Sequence, residues 1–268
     1  MSGDAASFVG NIPGHYDREL GPMIFVDYAA DMARRVAAFE PMRVLETAAG
    51  TGIVTRWLRD LLPSGSQITA TDFNPPMLEV AHARFEPGEV EFQPADATAL
   101  PFRDSAFDAV VCQFGLMFFP DKPISCHEAR RVLAPGGRYV FSVWDAHRHN
   151  PFGRIAYETV ATFFPTDPPQ FYQLPFSCHH IDPIKEWLID AGFADIRIAV
   201  VRLEKQIPDA AAFARGIVYG NPLIDQIRAR GGVDPDRVVN AVTAALHLEF
   251  GADPGRMSLQ AIVFEARR

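Results

Sequence analysis

Three acids stand where short apolar runs end: Glu46 after Val44-Leu45, Asp72 after the run from Gln67, and Asp96 shortly after Val90 to Gln93. Carboxylates at such ends accept hydrogen bonds from hydroxyl and amino groups and favour positive charge on a ligand, which fits a nucleoside and repels a phosphate. Glu46 runs into Thr47-Ala48-Ala49-Gly50-Thr51-Gly52, where no side chain is large enough to hold a ligand away from the backbone. The run also lacks the Lys of a phosphate-binding loop. Beyond it, Ile53, Val54, Trp57, Leu58, Leu61 and Leu62 recur at helical spacing, so the small residues form the turn from a buried strand into a helix.

The Gly50-x-Gly52 pair is an incomplete dinucleotide fingerprint, because Thr55 stands where the third glycine belongs. Asp72 alone serves a dinucleotide ribose or another nucleoside equally well. Asp96, placed after the third strand to meet an adenine amino group, moves the reading away from a dinucleotide. Candidates for proton transfer are His147, His149, His179, His180 and Asp145, beside or within an irregular stretch. Each also has a plainer reading as an exposed or structural side chain. His179-His180 has no third ligand at helical spacing, and no metal is expected. Phe163, Phe164, Phe171, Tyr172 and Phe176 suit either a flat apolar acceptor or the packing of a cap.

The elements that must position these residues follow from the same pattern. Strands are expected at Val44-Leu45, Gln67 to Thr71, Val90 to Gln93, Phe107 to Cys112 and Arg138 to Trp144, alternating with helices, which implies a parallel, doubly wound α/β sheet. Asn74 before Pro75 marks a helix start, and a helix is expected from Pro123 to Leu133. Ile24, Phe25, Tyr28, Met32, Val36 and Phe39 form the stripe of a helix ahead of the first strand, with Pro22 in its first turn. Ile12 to Asp17 reads as turn-rich; Tyr16 there is either a lid aromatic or part of a packed tail. Later strands are expected at Ile196 to Val200 and Met257 to Ala266, with helical cap inserts at about 145–180 and 203–256. Residues 1–42 then form an N-terminal lid and helix, and 43–268 one domain carrying the inserts.

The 268 residues, 48% of them apolar, can bury a sizeable core, and a net charge of −8 argues against affinity for nucleic acid or anionic membrane. Three cysteines without metal spacing, no apolar stretch of membrane-spanning length and no signal-peptide pattern lead to the expectation of a cytoplasmic protein. The expected partner is a small-molecule acceptor, with a homodimer left open.

From about Arg43 to Trp144 the chain resembles the class I S-adenosylmethionine-dependent methyltransferases, in the small-molecule, type 11 group that includes the ubiquinone and menaquinone biosynthetic enzymes. The resemblance implies a Rossmann-like sheet of seven strands, the last antiparallel, with S-adenosyl-L-methionine as cofactor. It further implies that Glu46, Thr47, Ala48, Gly50 and Gly52 lie under the methionine part of that cofactor and that Asp72 takes the ribose hydroxyls. Phe73 and Met77 would flank the adenine, Asp96 and Ala97 would meet its amino end, and Gln113, Phe114 and Gly115 would line the methyl group. Tyr16 resembles the N-terminal lid of some members. Ala48 replaces the family's usual first glycine, and Pro135-Gly136-Gly137 resembles the turn before the fifth strand. The function implied is O- or C-methylation of a small apolar or aromatic acceptor. The rivals are a nicotinamide-dependent oxidoreductase and a protein that binds the cofactor without catalysis.

Overall fold

Apolar runs too short for helices and flanked by small or polar residues become strands in the computed structural model, which describes residues 7–268. They are β1 (Arg43–Glu46), β2 (Gln67–Asp72), β3 (Glu91–Pro94), β4 (Phe107–Gln113), β5 (Leu133–Trp144), β6 (Ala194–Ile207) and β7 (Gly255–Arg267). All seven share one sheet in the order β3-β2-β1-β4-β5-β7-β6. β1 to β5 pair in parallel, and β7 lies antiparallel to both β5 and β6. The expected doubly wound, seven-stranded, mostly parallel sheet is therefore present. The order reverses between β1 and β4, and ligands of open α/β sheets lie outside the carboxyl ends of the strands at such a reversal.

The chain ahead of β1 departs from expectation. Ile12–His15 (α1) is helical rather than turn-rich, Tyr16–Phe25 continues as a wide π-type helix, and Val26–Ala37 (α2) completes the run. Pro22 thus sits inside the helix and does not start it. Wide turns, in which the Val26 N–H reaches back to the Gly21 carbonyl, absorb a proline that would break a regular helix. α2 then buries Tyr28, Met32 and Val36 and packs on β4 and β5.

β5 and β6 are much longer than expected. β5 begins at Leu133, and Pro135-Gly136-Gly137 forms an irregularity within it instead of a turn before it. Gly136 takes φ +82°, and a Cβ on Gly137 would lie 2.9 Å from the Ala134 carbonyl oxygen, so both positions need glycine. β6 runs to Ile207, pairing with Gly255. Its charged positions Arg202 and Glu204 face solvent at the sheet edge, which hides a strand from a search for apolar alternation.

The remaining helices are α3 (Ile53–Leu61), α4 (Pro75–His82), α5 (Lys122–Val132), α6 (Pro151–Ala161), α7 (Ile181–Asp190), α8 (Ala210–Tyr219), α9 (Leu223–Arg230) and α10 (Pro235–Phe250). α10 packs on α6 and α8, and α8 packs on the π-type segment. That last contact is close: a Cβ on Gly216 would lie 2.9 Å from Glu19 Cβ. No helix among the described residues is long and apolar enough to cross a membrane.

Asn150 roots the stretch after β5. It is fully buried; its amide donates to the Asp145 and Gln260 carbonyls, each at 2.9 Å, and accepts from the Gln260 N–H at 2.9 Å. Replacing it leaves the Asp145 carbonyl and the Gln260 N–H without partners, each costing about 1–3 kcal/mol when buried, while the Gln260 carbonyl keeps the Asp145 N–H at 3.1 Å. Asn150→Leu is expected to lose at least about 2 kcal/mol, read as a lower urea midpoint at unchanged slope.

Candidate functional site

The loop after β1 is tied to both neighbouring strands before any ligand is considered. Thr47 N–H donates to the Val111 carbonyl and Ala49 N–H to the Thr71 carbonyl, both at 2.9 Å. Between these ties the backbone is left-handed at Ala48 (φ +52°), Gly50 (φ +56°) and Gly52 (φ +78°). A non-glycine residue in this conformation costs roughly 1–2 kcal/mol. Ala48 accepts that strain. Gly50 donates its N–H to Asp72 Oδ2 at 2.9 Å, so the acid at the end of β2 holds the loop as well as facing the cavity. Gly52 has a packing reason: a Cβ there would meet Ala81 Cβ of α4 at 3.0 Å.

The next strand end is equally constrained. Gly115 passes so close to the loop that a Cβ on it would lie 2.5 Å from Ala48 Cβ and 2.7 Å from Cys112 Sγ. Phe114 reaches this approach through φ +51°, a strained value for a bulky residue. Its ring stacks on Trp144 at the end of β5, with centroids 3.9 Å apart and planes at 1°. Trp144 in turn meets Phe152 edge-on at 5.8 Å.

One cavity opens above these strand ends. Of the expected cofactor residues, Tyr16, Thr47, Ala48, Gly50, Asp72, Phe73, Met77, Asp96, Ala97, Gln113, Phe114 and Gly115 line it. Glu46 lines a smaller recess that shares Tyr16, Ala48 and Gln113 with the main cavity, and Gly52 lines neither. The N-terminal segment crosses the opening. The Phe8 N–H donates to Asn74 Oδ1 at 3.1 Å, Asp17 pairs with Arg84, and Tyr16 stacks on Phe25 at 4.9 Å. Leu20, Ile24, Phe118, Phe119 and Asn221 complete walls that the sequence did not point to. The apolar cluster Leu116 to Phe119, directly after a strand end, was an available signal.

The candidate proton acceptors stand outside this cavity. His147 Nε2 bonds the Tyr172 carbonyl at 2.9 Å, and His179 Nδ1 bonds the Phe176 carbonyl at 2.7 Å. His149 accepts from Arg148 Nε at 2.9 Å, and the His180 ring meets His179 at a tilt of 40°. Asp145 is buried between the Ala146 N–H and the Gln260 amide. Among the insert aromatics, Phe171, Tyr172 and Phe176 line the cavity, while Phe163 and Phe164 pack in the core. No cluster of metal-ligating side chains occurs among the described residues.

The charges are arranged for a cation. Glu46 is buried with one side-chain partner, Thr55 Oγ1 at 2.6 Å, and burial pushes its carboxyl up to about 8. Burial also raises Asp72, opposed by the Asn74 and Gly50 N–H groups. Gln113 Oε1 and Thr51 Oγ1 are buried without any partner. Two acids and an unused carbonyl oxygen around small residues fit a ligand with an ammonium or sulfonium group and a ribose.

A family profile described as a methyltransferase domain matches residues 45–141. A demethylmenaquinone methyltransferase of Renibacterium salmoninarum is 32% identical over 171 residues, 60% of this chain and 70% of the relative. The chain belongs to the class I S-adenosylmethionine-dependent methyltransferases. A second demethylmenaquinone methyltransferase, from Thermus thermophilus, is 41% identical over 140 residues, half of this chain and 62% of the relative's length. Among solved structures, a phosphoethanolamine N-methyltransferase of Haemonchus contortus with S-adenosyl-L-methionine has TM-score 0.59 at 19% identity, covering 96% of this chain and 56% of that one. The YcgJ protein of Bacillus subtilis has TM-score 0.58 at 17% identity, covering 89% and 98%. These structural likenesses extend the shared fold beyond the family match.

Two outcomes follow from the loop. Ala48→Gly is expected to raise stability by up to about 1 kcal/mol, the relief of left-handed strain being partly offset by glycine's freedom in the unfolded chain; urea unfolding measures it. Glu46 holds its proton more tightly folded than unfolded, since about 8 exceeds its ordinary 4.5. Its destabilising effect is therefore absent below the ordinary value and grows as pH rises toward the folded value. The melting temperature of Glu46→Gln is expected to gain on the cofactor-free wild type between about pH 5 and about pH 9.

Proposed function

We propose that the chain transfers a methyl group from S-adenosylmethionine to carbon or oxygen of a small, flat, apolar acceptor. The observation that carries this is a single cavity with two chemically distinct sides. Asp72, Asp96 and the loop after β1 form a polar side suited to a charged nucleoside; Phe114, Trp144, Phe152 and Phe176 form an aromatic side. The names of the quinone-methylating relatives support an aromatic acceptor.

In this reading the bound cofactor supplies an activated methyl group on a sulfonium. Asp72 holds the ribose hydroxyls through lone pairs left beside its bonds to the Gly50 and Asn74 N–H groups. Phe73 and Met77 flank the adenine, and Asp96 with Ala97 meets its amino end. Gln113 Oε1 and Glu46 face the ammonium, which gives the unpaired oxygen its partner. The stacked rings of Phe114 and Trp144 orient the acceptor and exclude water. Orientation of two bound reactants lowers a barrier by about 7–11 kcal/mol in favourable cases, so alignment can carry much of the rate. The described chain ahead of β1 acts as lid and helix, and the inserts near 145–180 and 208–254, the second bounded by β6 and β7, set the acceptor. The protein works in the cytoplasm on small molecules and not on nucleic acid, alone or as a homodimer.

The oxidoreductase rival loses ground at Thr55, which stands at the third-glycine position and spends its hydroxyl on Glu46. Calorimetry separates the readings. The wild type is expected to bind S-adenosylhomocysteine and to show no binding of NAD or NADP. Asp72→Ala is expected to bind about ten to a hundred times more weakly, the loss of hydrogen bonds to a charged group. Unchanged affinity in that variant counts against the ribose assignment. Binding without methyl transfer to any member of a broad acceptor panel supports the non-catalytic rival.

A further inference from the structure

A methyl acceptor that starts as a neutral hydroxyl or a carbon acid must lose a proton, and the cavity offers nowhere for it to go. Among the described residues, the ionisable side chains on its walls are Asp72, Asp96, Tyr16 and Tyr172. Asp96 accepts from the Thr98 N–H at 2.8 Å and the Thr98 hydroxyl at 2.7 Å, and Asp72 holds the loop after β1. Asp72 ends β2 and Asp96 follows β3, whereas Phe114 follows β4 and Trp144 ends β5, on the other side of β1. Tyr172 lines the wall beside Phe171. Its hydroxyl donates to the Ile217 carbonyl at 3.2 Å and accepts from the Asn221 amide at 3.1 Å. Burial pushes the Tyr16 and Tyr172 phenols upward, away from the range of a useful base. Behind the wall, Tyr28 is raised in the same way, and His147 is lowered by burial with its Nε2 on the Tyr172 carbonyl.

We propose that the acceptor is an acidic enol or phenol that enters already ionised, its proton lost to solvent, with the cofactor's positive sulfur as its counter-charge. The proposal rests on the methyl-transfer reading above. A lone anion is costly among aromatic rings, but an anion beside a fixed positive charge is not alone. The enolate carbon or phenolate oxygen donates the electron pair that forms the new bond to the methyl carbon. The pair from the breaking sulfur–carbon bond stays on sulfur, so the two opposite charges become a neutral product and a neutral thioether. A wall that solvates ions poorly favours that cancellation. Where carbon is methylated, its remaining proton goes to solvent as the enol re-forms. A neutral alcohol would leave a protonated ether with no base nearby. A protonated amine would place like charge against the sulfonium.

Two measurements on the full chain test this. The first is the visible absorbance of 4-nitrophenol, whose anion is coloured, bound with sinefungin, which carries an ammonium near the sulfur position, or with S-adenosylhomocysteine, which is neutral at sulfur. The ionised fraction at a pH below the free phenol's own value is expected to be about tenfold higher with sinefungin. Equal ionisation with both, or no phenol binding while S-adenosylhomocysteine binds by calorimetry, overturns the proposal. The second is the pH profile of kcat/KM across phenols and cyclic 1,3-diketones of graded acidity. Its inflection is expected to move with each acceptor's own acidity. One fixed inflection for all of them, or no turnover with any while S-adenosylhomocysteine binds, overturns it. Failure of S-adenosylhomocysteine itself to bind removes the methyl-transfer reading, a result that calorimetry distinguishes from the others.

Discussion

The close approach of Gly115 to Ala48 organises the site. With Ala48 Cβ only 2.5 Å from where a Gly115 Cβ would stand, the ends of β1 and β4 meet with no room for another methyl group. To make that approach, Ala48 and Phe114 both take left-handed backbone. The turn at Phe114 delivers its ring onto Trp144, and with it the first panel of the aromatic wall. Floor and wall are thus consequences of one packing constraint. Strain at two neighbouring strand ends is the kind of local cost that the surrounding fold must over-determine, and the parallel pairing on both sides of β1 and β4 does so.

The electrostatics extend the same theme. Glu46 and Asp72 are buried, Gln113 Oε1 and Thr51 Oγ1 have no partner, and no cation lines the cavity among the described residues. In a fold where buried polar groups are normally satisfied, such a concentration marks a place shaped for something absent from the chain itself. A cationic nucleoside with a ribose supplies the missing donors. That chemistry, the family match over residues 45–141 and the strand order all point to the same cofactor from independent directions.

The polar half of the site was legible in the chain because its acids stand at or just past the ends of apolar runs. Asp72 and Asp96 on the cavity wall, and Glu46 in the adjoining recess, need only strand recognition to fall on one edge. The aromatic half was legible in part: Phe171, Tyr172 and Phe176 face the cavity, yet Phe163 and Phe164, of the same type and nearby, do not. Composition cannot separate them, because the direction of each ring depends on how the insert folds. Phe25 was read as one member of a helical stripe, and the wide π-type turns before it turn the segment over the opening. Asn221 comes from a distant insert, and no local pattern connects it to Tyr172. The histidines show the converse. Proximity in sequence to the fifth strand's end suggested chemistry, but their ring nitrogens serve backbone carbonyls and a neighbouring arginine.

The central claim is that one cavity seats the methyl donor over the loop after β1 and leaves the aromatic wall to the acceptor. A crystal structure of the chain with S-adenosylhomocysteine tests it most directly. The account predicts ribose hydroxyls on Asp72, adenine between Phe73 and Met77, the ammonium at Gln113 Oε1, and the thioether sulfur facing the space beside Phe114 and Trp144. A ligand seated elsewhere, or one whose sulfur points away from that aromatic wall, would contradict it.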